Sequence, residues 1–224
     1  MIMSRITLNS SLFLAVILVS GCQTAAVSES VEIETVSIKE ARGMSIGESV
    51  RVSGTVTVQS GAFASSISSG FAVQDESAGI YVLDSNYAFK LGDRVKVTGK
   101  RDAEFGQLNI ILESAEKLTG SGTVIPRPVK TGNVGVAEEG ILIQVEGSVT
   151  QTKSDPPYGY KAFIDDNSGE IQIFVNASTG LIENARDWKV GDVIFVIGFS
   201  GQYENTYEIM PRIVSDFRIR ETQQ

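Results

Sequence analysis

Histidine is absent from the chain's 224 residues, and this one omission removes Ser-His-Asp and Cys-His catalysis together with most zinc chemistry. The single cysteine, Cys22, excludes an intramolecular disulfide. Carboxylates are what remains. Asp165, Asp166, Asn167 and Glu170 crowd into Phe163-Ile164-Asp165-Asp166-Asn167-Ser168-Gly169-Glu170, and oxygen-rich loops can hold a hard cation such as calcium. The run lacks the alternating ligand spacing of a calcium loop, and Asx-Ser-Gly is ordinary turn chemistry. Nothing in the spacing argues for a two-carboxylate glycosidase. The expectation is a non-enzymatic protein with no catalytic residue, no metal site and no cofactor; a metal-dependent hydrolase is a third reading behind two kinds of binding protein.

Cys22 has a different chemistry. After Arg5 the chain passes into the apolar run Leu12–Val19, too short for the roughly twenty residues a membrane-spanning helix needs. A basic start, a short apolar segment and a small-residue exit describe a signal peptide over residues 1–21. Val19-Ser20-Gly21-Cys22 resembles the bacterial lipobox, in which the cysteine receives a thioether lipid and the peptide is cut before it. That resemblance implies an acylated (palmitate-bearing) lipoprotein with three chains on Cys22, since one chain anchors only marginally. Gln23 rather than Asp after the cysteine points, in Gram-negative lipoproteins, to the outer membrane of the cell envelope. Residues 22–37 read as the lipidated tether, with Val31, Ile33 and Val36 able to pair as an edge strand instead.

Beyond the tether the chain repeats itself. Val52-Ser53-Gly54-Thr55-Val56 corresponds to Val145-Glu146-Gly147-Ser148-Val149, and Asp75–Leu83 to Asp166–Phe174. Gly92–Gly99 corresponds to Gly191–Gly198. Each copy yields five strands by alternation and turn residues, near 48–58, 70–75, 79–84, 93–100 and 107–118, then near 141–151, 161–166, 170–176, 192–199 and 206–218. Leu181, Ile182, Ala185 and Trp188 in the insert 177–189 have helical spacing. Five strands with a helix between the third and fourth is the plan of the OB-fold. The expected fold class is therefore all-β: two tandem five-stranded OB-like barrels, module 1 over 38–118 and module 2 over 136–220, with a short helix in the second and a linker over 119–135. Gly70–Val82 followed by Leu91–Gly99 resembles the OB-like modules associated with secreted bacterial nucleases; the second copy keeps that skeleton with Ala162 in place of Phe71.

Alternation puts Phe71, Val73, Ile80 and Val82 inside the first barrel and Ala162, Ile164, Ile171 and Ile173 inside the second. The opposite faces then carry Ala72, Gln74, Tyr81 and Leu83, and Phe163, Asp165, Gln172 and Phe174. OB-folds bind ligands on this outer face, between the loops joining strands one to two and four to five. Tyr81, Phe163 and Phe174 on the faces, with Phe63, Phe105, Tyr158 and Tyr203 in the loops, are the ligand-binding candidates. Lys96, Lys100, Arg101, Lys153 and Lys161 are the basic ones.

Charge decides among partners. Without residues 1–21 the chain keeps 18 basic and 27 acidic residues, a net charge of −9 that repels polyanions. The leading expectation is a lipid-anchored protein that binds an envelope protein or carbohydrate; the alternative is single-stranded nucleic acid at the cell surface or periplasm, which needs a cationic track beside the aromatic platforms. The outer faces are either exposed platforms or docking surfaces. Burial gains roughly 1.5 to 3 kcal/mol per large apolar side chain, so docking through Phe163, Phe174, Tyr81 and Leu83 is expected to make one rigid body and to move binding to the loops around Phe63, Phe105 and Tyr203. For the anchor, Cys22→Ser is expected to abolish fatty-acid labelling and release the protein from membrane fractions while the barrels still fold. A variant that stays membrane-bound and labelled refutes lipidation.

Overall fold

The computed structural model describes residues 32–84 and 86–220. The signal segment, Cys22 and the tether up to residue 31 lie outside the described residues. Strand β1 (Thr35–Val36) pairs parallel with the next strand, so the end of the expected tether belongs to the first sheet. Helix α1 (Ile38–Gly43) follows, an element absent from the alternation pattern because one and a half turns leave too short a period to register. Its start is fixed by a capping box: Ser37 Oγ accepts from Glu40 N, and the Glu40 carboxylate accepts from Ser37 N at 2.9 Å. Ile38 and Ala41 close one end of the first barrel.

That barrel consists of β2 (Ser49–Val58), β3 (Gly70–Gln74), β4 (Gly79–Leu83), β5 (Asp93–Glu104) and β6 (Gln107–Ser121). The order is β1-β2-β3-β4-β6-β5, closed by β5 pairing back on β2, and β4 runs parallel to β6. The second barrel reproduces it with β7 (Arg127–Pro128), β8 (Leu142–Asp155), β9 (Gly159–Asp165), β10 (Glu170–Asn176), β11 (Val193–Tyr203), β12 (Thr206–Met210) and β13 (Phe217–Arg220). There β11 closes on β8, and β10 runs parallel to β12. Both are five-stranded Greek-key barrels of the OB type with short added edge strands. Each first strand carries a glycine at the same place: a Cβ on Gly54 would sit 2.8 Å from the Gln74 carbonyl oxygen, and one on Gly147 would sit 2.9 Å from the Asp165 carbonyl carbon. The repeat retains glycine there because two backbones cross without room for a side chain.

Three boundaries differ from expectation. The helical spacing over 177–189 resolves into a 3-10 turn (Ala177–Thr179), Gly180 in the left-handed region, and a single turn α2 (Ile182–Ala185). Ala185 and Trp188 reach the core of the second barrel from it. The expected strand 206–218 breaks at Pro211, which has no N–H to give a ladder. The linker is shorter than 119–135, since β6 continues to Ser121 and Arg127–Pro128 joins the second sheet.

The described part of the chain from Ile33 onward is one compact unit. A third apolar core, separate from the two barrel interiors, joins the modules: Val58, Ala62, Phe63, Ala72 and Tyr81 from the first meet Phe174, Phe199 and Met210 from the second, with Ile67 and Leu83 at its edge. The Phe199 ring lies 6.1 Å from Phe63 and 5.9 Å from Tyr81, between centroids. Phe163, expected in this contact, takes no part in it and is half-buried on β9. Beside the apolar patch lies a buried ion pair. Arg42 donates to Glu139 at 2.6 Å and to the Gly79 carbonyl at 2.9 Å, while Glu139 also accepts from Leu108 N and the Gln107 amide. Gln107 Oε1 in turn accepts from Gln202 N in the second module at 2.9 Å. Phe199→Ala is expected to cost about 3 to 5 kcal/mol in urea unfolding. In scattering it should loosen the pair of barrels, whereas wild type is expected to unfold in one transition. Two separated transitions in wild type, or an unchanged stability in the variant, would contradict a shared core.

Candidate ligand-binding cleft

Docking does not cover the whole outer face of the second barrel. Phe174 and Met210 end in the seam, but the parallel register of β10 and β12 sets Gln172 beside Glu208, one alternation step away from them. Those two side chains form the floor of a cleft of about 470 Å³ lined by Ser66, Phe105, Asp155, Tyr158, Lys161, Gln172, Phe174, Tyr203, Thr206 and Glu208. Its walls come from equivalent loops of both modules: Ser66 follows β2, Asp155 and Tyr158 follow β8, and Phe105 and Tyr203 sit at the tips of the β5–β6 and β11–β12 hairpins.

The two hairpin tips clasp each other. Glu204 N donates to the Phe105 carbonyl, Gly106 bridges to Tyr203, and the Phe105 and Tyr203 rings lie 5.1 Å apart. Phe105 holds φ +50° and Gly106 φ +91°, the paired left-handed conformation of a tight hairpin turn. Asn or Gly suits that region, and Phe105 occupies it as Glu204, at φ +52°, does in the equivalent hairpin of the second module. Phe105, Tyr158 and Tyr203 are 50%, 51% and 40% exposed, so all three present a face to solvent at the mouth.

Glu208 is 6% exposed. Removal from water is the main influence on it and pushes its carboxyl up to about 7; the Gln172 amide, donating at 2.6 Å, and the Lys161 charge only partly oppose this. Lys161 is engaged elsewhere, pairing with Asp155 at 2.8 Å and lying 5.6 Å from the Phe174 centroid. The arrangement offers hydrogen-bond donors and acceptors at its base and aromatic faces at its rim.

The sequence candidates divide sharply. Phe105, Tyr158, Tyr203, Phe174 and Lys161 converge on the cleft, Phe174 with only its edge. Phe63 and Tyr81 are buried in the seam, so neither ring is open to a ligand, and burial raises the Tyr81 phenol well above its ordinary value. The basic candidates form no track: Lys96 pairs with Glu116, Lys100 approaches Glu113, Arg101 donates to the Arg42 carbonyl, and Lys153 is exposed, opposite Lys161 in the sheet but outside the cleft lining. Asp165 and Asp166 serve turns, accepting from Asn167 N and Gly169 N, and from Ser168 N and Thr131 Oγ1. Glu208, Gln172, Asp155, Thr206 and Ser66 were not among the candidates. The signal for Glu208 in the sequence is the alternation of Thr206-Tyr207-Glu208-Ile209-Met210, which puts it on the face opposite core residue Ile209.

No family model matches the chain, and no curated protein matches it by sequence. Among solved structures it is similar to the S. pombe Stn1-Ten1 complex, at 17% identity and TM-score 0.32, over 36% of this chain and 59% of that one, so the chain spans about three fifths of that length. It is also similar to OBody AM1L10 bound to hen egg-white lysozyme, at 15% identity and TM-score 0.38, over 45% of this chain and 100% of that one.

The Glu208 shift has a definite consequence for stability. Between the ordinary value of 4.5 and about 7 the folded chain holds a proton that the unfolded chain has released, so this group lowers stability as pH rises through that window. Above it the cost is on the order of 3 kcal/mol. Glu208→Gln, which keeps the shape without the charge, is expected to equal wild type near pH 4 and exceed it near pH 8 in urea unfolding. A variant less stable than wild type at the higher pH would show that the buried charge is stabilised, contrary to this assignment.

Proposed function

We propose that this chain is a non-enzymatic, lipid-anchored protein of the cell envelope whose inter-module cleft binds a carbohydrate. Phe105 carries the reading: an exposed aromatic ring held in a backbone region unfavourable to it, over a cleft floored by Gln172 and Glu208. Sugars present apolar faces that rest on aromatic rings and hydroxyls that need donors and acceptors, and the cleft supplies both. Its size suits a few sugar units rather than the flat area of a stable protein interface. Anchoring at Cys22, in the outer membrane of a Gram-negative cell, would place the cleft among envelope glycans. Single-stranded nucleic acid fits less well, because the one cation lining the cleft among the described residues is already paired with Asp155.

Calorimetric titration of the folded chain with a panel of neutral and amine-bearing oligosaccharides, and with oligothymidylate, tests this. Saturable binding of an oligosaccharide is expected, weakened about tenfold by Phe105→Asn, a loss of the size expected when an aromatic platform is removed. Since Asn accepts the left-handed backbone, the variant should fold with unchanged or greater stability. Micromolar oligothymidylate binding at physiological salt that is lost in Phe105→Asn would replace carbohydrate by nucleic acid.

A further inference from the structure

We propose that Glu208 makes the cleft selective for an ammonium group, so that the carbohydrate it takes is an amino sugar with a free amine. This rests on the carbohydrate reading and adds the chemical class of the sugar. The charges facing Glu208 are few. Lys161 reaches in from β9 and Asp155 from the end of β8, and the two are paired at 2.8 Å. Gln172 on β10 is neutral, as are Ser66 and Phe105 from the first module and Thr206 and Tyr203 beside them. An ionised Glu208 is therefore the one uncompensated charge of the cleft among the described residues.

Nor is its hydrogen bonding complete. Among the described residues Gln172 Nε2 is the donor that reaches it, at Oε2, which leaves Oε1 without a protein donor in a side chain that is nine-tenths buried and lines the cleft. A buried carboxylate with one protein donor, whose nearby cation Lys161 is shared with Asp155, is costly until something brings a further charge to it. The rim points the same way, because aromatic faces attract cations and Phe105, Tyr158 and Tyr203 all stand at the mouth. A bare ammonium, with its three donors, would use Glu208 and the rings but leave the Thr206 hydroxyl and the Ser66 O–H without a ligand partner. A body bearing hydroxyls uses them.

Binding has a proton signature. Below about pH 7 the empty cleft holds Glu208 largely protonated, and an incoming ammonium favours the carboxylate, so the complex forms with release of a proton to buffer. Titrations near pH 6.5 in two buffers of different ionisation enthalpy count that proton. The probes are a glucosamine tetramer, an N-acetylglucosamine tetramer and Nα-acetyl-lysine amide. The expected result is binding of the glucosamine tetramer at least about tenfold tighter than that of the acetylated one, with a net proton release of less than one, because Glu208 is only partly protonated at pH 6.5 and any amine that is neutral there takes up a proton as it binds. In Glu208→Gln the preference for the glucosamine tetramer over the acetylated one should collapse to within about twofold and the proton release vanish. Phe105→Asn, which leaves Glu208 in place, should weaken both sugars and retain the proton release, and it serves if Glu208→Gln folds poorly.

Equal binding of the two tetramers, or a preference that survives Glu208→Gln, overturns the ammonium inference and leaves the carbohydrate reading standing. Tight binding of the lysine amide with the same Glu208 dependence, and of neither sugar, overturns both in favour of a protein side chain. Absence of all binding overturns both outright.

Discussion

Everything in this molecule hangs on a surface that each OB module cannot leave in water. The outer face of the first barrel presents Ala72 and Tyr81, and the second presents Phe174, Phe199 and Met210; together they form an apolar core as well buried as the barrel interiors. Burial of such side chains is worth roughly 1.5 to 3 kcal/mol each, more than a short linker's loss of freedom costs, so the modules associate and the linker is drawn into their sheets. The buried Arg42–Glu139 pair then gives the seam a register. Glu139 is enclosed and meets Arg42 alone among the cations of the described residues, so sliding the barrels would strand its charge in a medium that penalises it.

That contact divides the labour between two copies of one fold. In the first module the outer face is spent on docking, and Gln74, which alternation places on it, accepts from Leu142 N of its neighbour at 2.9 Å. In the second module the seam stops at Phe174 and Met210, so Gln172 and Glu208 remain open beneath the hairpin of the first. The cleft belongs to neither barrel alone. Its floor is one module's sheet, its roof the other's loop, and its shape depends on the same apolar seam that makes the unit rigid.

Burial also changes what Glu208 is. In the folded chain it loses water, and the cation beside it, Lys161, is shared with Asp155. The site is thus held in a state that costs stability as pH rises, a pattern common where a group is retained for binding rather than for folding.

Two repeated barrel modules, their inward faces and the scarcity of cationic surface are legible in the sequence. These follow from local alternation, from glycines at backbone crossings such as Gly54 and Gly147, and from composition. It also marked Phe105, Tyr158, Tyr203 and Lys161 as loop or face residues of interest, because the loops of a known barrel plan can be counted off along the chain. Tertiary structure alone decided that Tyr81 and Phe63 are core while Phe105 is surface, and that Phe163 stays outside the contact its neighbour Phe174 enters. Alternation assigns a side chain to a face of its own sheet but is silent on what covers that face. The covering here comes from residues about a hundred positions distant, and the acidity of Glu208 follows from burial that alternation does not report.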